Sequence, residues 1–127
     1  MQTSSSRTPF VLAASVAVLT SLYWAALAFL VGVASSLGDT SPAQLILPII
    51  LIGLYAFRGF QVFQGDPTAA RSLLWLHGIG GVIGVMRMFG RDPITLVLYG
   101  IKVVLHVAGA GTAYWALQHA TAPTSGE

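Results

Sequence analysis

AARSLLWLHGIGGVIGVMRMF (residues 69–89) and ITLVLYGIKVVLHVAGAGTAYWALQ (residues 94–118), joined by Gly90-Arg91-Asp92-Pro93, decide the fold. A bilayer core of about 30 Å takes about 20 apolar residues in a helix, and each run reaches that length. The link between them has turn chemistry. Gly90 suits the left-handed residue that ends one helix, Asp92 the cap of the next, and Pro93 its first position. So short a link leaves the two helices antiparallel.

The same punctuation recurs upstream. Gln64-Gly65-Asp66-Pro67-Thr68 separates residues 69–89 from a second apolar run, 43–64, and a longer polar break, residues 35–42, separates that run from a first, 10–34. Strands with open edges are excluded in lipid, because every backbone group must be satisfied within the span. The sequence thus predicts an all-α integral membrane protein: a four-helix up-down-up-down bundle with spans at 10–34, 43–64, 69–89 and 94–118. Residues 1–9 and 119–127, rich in small and hydroxyl residues, are expected to be mobile tails. The first run is about twice as long as the 7–15-residue core of a secretory signal and is expected to be a retained span.

Composition agrees. Of 127 residues 55% are hydrophobic and 8% charged, with a mean hydropathy of +0.78, against about 25% charged residues in an average soluble domain. Ten charges do not clothe a soluble globule, which excludes a soluble enzyme and a nucleic-acid binder. The net charge of +2 is too small to imply a polyanionic partner. Cysteine is absent, so disulfide frameworks and thiolate metal sites are excluded. The expected surroundings are the lipid bilayer of the cell membrane. Both termini are placed in the cytoplasm on the strength of Arg7 ahead of the first span against Asp39 after it.

All four acidic residues, Asp39, Asp66, Asp92 and Glu127, lie outside the spans. A proton-coupled carrier needs an intramembrane carboxylate, so that class falls away. The charged intramembrane residues are basic. Arg58 and Arg87 lie near span ends and are expected to snorkel. Lys102 sits about 12 Å below the start of its span at 1.5 Å per residue, where snorkelling competes with a place facing a polar cavity. Gly80, Gly81, Gly84 and Gly109 read as helix-packing positions, where a missing side chain lets backbones approach.

His77 and His106 are the histidines within the spans. Both lie fourteen and a half positions from the centre of the Gly90–Pro93 turn, which places them at one depth in the hairpin. Each is followed three and four positions later by small residues, Gly80 and Gly81 or Gly109 and Ala110, on its own helix face. Two readings follow: hydrogen-bonded polar glue between helices, or axial ligation of one haem b iron. A zinc site lacks a third ligand at that depth, and no metal site is expected.

The resulting expectation is a non-catalytic accessory or scaffold subunit that works through helix packing, as a homo-oligomer or within a larger membrane complex. The alternative is a b-type haem or quinone-linked electron carrier with His77 and His106 as axial ligands. A third reading is a small pore or carrier lined by Lys102, Arg58, Gln61 and the histidines. No catalytic residue is assigned.

Overall fold

The computed structural model describes residues 4–121, with side chains from Arg7 to Ala120. Helix α1 spans Ser4–Ser36, α2 Ile46–Phe63, α3 Pro67–Met88 and α4 Pro93–Thr121, and a 3₁₀ turn at Pro42–Leu45 leads into α2. There is no strand among the described residues. All four helices are long and apolar enough to cross a membrane, and they form the up-down-up-down bundle the sequence predicts.

The turns set this course. Gly38, Gly65 and Gly90 have φ of +83°, +91° and +72°, the left-handed region where a Cβ is unfavourable. Asp66 caps α3, its carboxylate accepting from the amides of Thr68 at 2.8 Å and Ala69 at 3.4 Å. Asp92 does the same for α4 at the Thr95 amide, 3.0 Å away. Ser41 accepts from the Ala43 amide at 3.3 Å and starts the 3₁₀ turn.

Helix α1 packs chiefly on α2 and α4, and α3 chiefly on α4, so α1 and α3 stand diagonally across the bundle. Side chains fasten the antiparallel neighbours. The Arg7 guanidinium lies 5.6 Å from the Phe63 ring centroid, which sets the start of α1 beside the end of α2. The Ser21 hydroxyl donates to the Ile52 carbonyl at 3.0 Å, and the Tyr23 hydroxyl to the Leu98 carbonyl at 3.1 Å. Much of the interior is small: Ala13, Ala17, Ala69, Ala70, Ala113 and Ala116 are buried around Tyr55, Val62 and Leu73. Gly59 lies so close to α1 that an added Cβ would sit 2.9 Å from that of Ala17. Close backbone approach of this kind drives association in lipid, where apolar burial alone gives helices no reason to meet.

The outside is apolar. Phe29 is 71% exposed, Trp75 66% and Val104 67%. Water would make this surface an aggregation hazard, whereas acyl chains solvate it. The chain is a multi-pass membrane protein by this surface and by its four spans.

Some boundaries differ from the expectation. The expected tail 1–9 is helical from Ser4 onward, and Pro9 is buried inside α1 beside Phe10. Proline there removes one backbone bond near the helix end, a mild perturbation compared with a central position. Helix α4 runs on to Thr121, past the expected limit at 118. The rest of the expected tails, residues 1–3 and 122–127, lies outside the described residues. The α-helical part of the second span begins at Ile46 because the 3₁₀ turn occupies its expected first residues.

Candidate functional site

His77 and His106 meet in the middle of the bundle. Their Nδ1 atoms are 3.0 Å apart, a direct hydrogen bond between two side chains that are 1% and 2% exposed. The rings stand edge to face, with centroids 5.3 Å apart at 60°. One Nδ1 carries the shared proton and the other accepts it, so at least one imidazole is neutral. The His77 Nε2 is buried with no partner among the described residues. Orphaned N–H donors are rarer than orphaned acceptors. The favoured tautomer therefore has His77 donating through Nδ1 and leaves its Nε2 as a bare lone pair.

Glycine makes the approach possible, reciprocally. The His106 ring lies over Gly80, where an added Cβ would fall 2.7 Å from Cε1 and Nε2. The His77 ring lies over Gly109 still more tightly, and a Cβ there would overlap the imidazole. Each helix thus carries a histidine and, three residues on, the glycine that receives the other's ring. Gly81 and Gly84 extend the contact: added Cβ atoms would lie 3.4 Å from His106 Cβ and 3.0 Å from Val103 Cγ2. The four glycines named from the sequence all lie against α3–α4 partners.

Tyr55, from α2, completes the cluster. Its ring centroid is 4.9 Å from that of His77 and 6.1 Å from that of His106, and it is 2% exposed. Sequence reasoning missed it. The only signal is that Tyr55 is the one tyrosine within α2, which gives its depth and not its direction.

The basic residues part company. Arg58 is half-buried, donates through Nη1 to the Gln61 Oε1 at 2.9 Å, and stacks 5.9 Å from the Phe57 centroid. Arg87 is exposed at the end of α3. Lys102 is buried on α4, its Nζ 5.0 Å from the Trp24 ring centroid and 5.8 Å from that of Tyr99. Cation–π attraction holds it there. The residues of the pore reading do not converge: Arg58 is bonded to Gln61, Lys102 shares its cavity with Arg87, and the histidines bond each other.

In the alternative reading His77 and His106 are the residues that would hold a haem iron. Here the nitrogens touch directly, and each ring is wedged against the opposite helix's glycine. A groove of about 380 Å³ does reach the pair from the outer face of α3 and α4, lined by Gly78, Gly81, Val103 and Ala110 among others. It is bordered by these aliphatic and glycine positions and ends at the two rings. No family model, curated protein or solved structure matches this chain.

Proposed function

We propose that the protein is a non-catalytic accessory or scaffold subunit of the cell membrane, acting through helix packing as a homo-oligomer or within a larger complex. The observation that carries this reading is that α3 has small residues on two faces. Its inner face, at Gly80 and Gly84, is filled by α4. On its outer face Gly78 is exposed, with nothing within 4 Å of where a Cβ would be, in a groove of about 360 Å³ bounded by Trp75, Ile79, Val82 and Ile83. A second glycine-floored groove facing lipid is shaped to receive another transmembrane helix. The buried polar groups support the same role, since His77 bonds His106 and Ser21 bonds the Ile52 carbonyl, each tying one helix to another. Both termini face the cytoplasm in this reading, which rests on the position of Arg7.

Single-molecule photobleaching and cross-linking in native membranes test it. Discrete species larger than one subunit are expected, and Gly78→Leu, which fills the groove, should dissolve them while the protein stays folded. A monomer throughout, or an assembly indifferent to Gly78→Leu, overturns the reading. The rival electron-carrier role with haem b or quinone at His77 and His106 requires colour: a Soret band or a quinone-dependent absorbance change in the purified protein would favour it.

A further inference from the structure

A cavity of about 450 Å³ opens between α1, α2 and α4 at the end of the bundle that carries Asp39 and Asp92. Its volume lies within the about 300–1,000 Å³ of small-molecule sites. Lys102 and Arg87 both line it, and no carboxylate does. Lys102 is 7% exposed, and among the described residues its ammonium meets only the Trp24 and Tyr99 faces, without an ion pair or hydrogen bond. Its Nζ is not sealed off as the Trp24 indole nitrogen is, so the charge faces the cavity, and a cation held in low-dielectric surroundings without a counter-ion draws an anion to it. The Trp24 indole N–H, in the same wall, is buried with no acceptor among the described residues. The cavity therefore gathers positive charge and donors and supplies no anion to answer them.

Helix direction aims both cations at one place. Side chains lean toward their own helix's N-terminus. Lys102 thus rises from about 12 Å below the first turn of α4 toward the membrane face, while Arg87, at the end of α3, leans inward from it. Asp92, the acid closest in sequence, is engaged with Thr95 through both its oxygens. Leu27, Leu47 and Leu98 supply the apolar part of the wall. An anion deep enough to meet Lys102 must bring apolar bulk with it.

We propose that this cavity is a site for an anionic phospholipid, its phosphate seated between Lys102 and Arg87 and an acyl chain lying against Leu27, Leu47 and Leu98. Lys102 contributes a point charge with three donors and Arg87 a planar fork that matches two phosphate oxygens. The aromatic walls of Trp24 and Tyr99 keep the ammonium placed before the lipid arrives.

Trp24 makes the test direct. Full-length protein with Trp75→Phe and Trp115→Phe keeps Trp24 as its only tryptophan, and its fluorescence is titrated in neutral detergent with short-chain phosphatidylglycerol, phosphatidylcholine or inorganic phosphate. The expected result is saturable binding of phosphatidylglycerol, at least about tenfold tighter than phosphatidylcholine, whose phosphate is the same but whose choline cation cancels the headgroup charge and is repelled by Lys102 and Arg87. Lys102→Met should weaken it about tenfold or more and Lys102→Arg only slightly. Circular dichroism checks that each variant is folded. Arg87→Gln, at an exposed position, gives a second and independent weakening. Equal affinity for the two lipids, or phosphatidylglycerol binding unchanged in folded Lys102→Met or in Arg87→Gln, overturns the proposal. Inorganic phosphate alone reproducing the saturable signal overturns the lipid as the ligand.

Discussion

At Gly109 a single absent methyl group decides how close two helices come. An added Cβ would overlap the His77 ring, whose centroid lies 4.9 Å from that of Tyr55. Gly109→Ala must therefore push the hairpin apart or turn the ring out of its hydrogen bond. A loss of about 1–3 kcal/mol is expected, the usual cost of overpacking, read from unfolding in detergent. Gly53→Ala is the control, because its added methyl meets nothing within 4 Å, and it should cost nothing and gain up to about 1 kcal/mol of helix propensity. Equal losses at the two positions would show that the ring is not wedged against Gly109. The meeting of His77 with His106 was legible because a tight turn converts equal spacing into equal depth. Tyr55 and Trp24 were not legible in the same way. Hydropathy reports how deep a residue lies and says little about its azimuth when a helix, like α2, is apolar on nearly every side.

At the scale of the element, the turns do most of the specifying. Gly-Asp-Pro before α3 and Gly-Arg-Asp-Pro before α4 each supply a left-handed residue, a cap and a proline start, so both boundaries could be read within two residues. The start of α1 could not, since the tail is expected to run through Pro9, which instead lies inside the helix. The α4 cap has a pH signature. The Thr95 hydroxyl donates to Asp92 at 2.6 Å, and with the Thr95 amide it holds the carboxyl below the ordinary aspartate range. A depressed native pKa means that the cap's contribution is present above the unfolded value and is lost as pH falls through the native one. The Asp92 carboxyl and Thr95 amide resonances should thus titrate together, with a midpoint under the ordinary value of about 3.9. Thr95→Val should raise that midpoint by removing the hydroxyl bond. A midpoint at or above the ordinary value in the unaltered protein would contradict the capped geometry.

For the molecule as a whole, composition and three breaks sufficed to read the bundle, because lipid permits so few alternatives. Reporter fusions follow from its course: those at Asp39 and Asp92 should fall on one side of the membrane, and those at Asp66 and after Glu127 on the other. Opposite locations for Asp66 and Glu127 would mean that α3 and α4 do not both cross. Which helices touch most closely was less legible, since it depends on small residues whose facing direction the sequence does not state. The exchange of rings and glycines between α3 and α4 has a mechanical meaning too. His77 on Gly109 and His106 on Gly80 are related by a local pseudo-dyad, so the hairpin is keyed at two points that release only together. A slide of one helix along the other would lift both rings off both notches at once. The hairpin is thus fastened as one unit, and the cavity of Lys102 lies along the seam where that unit meets α1 and α2.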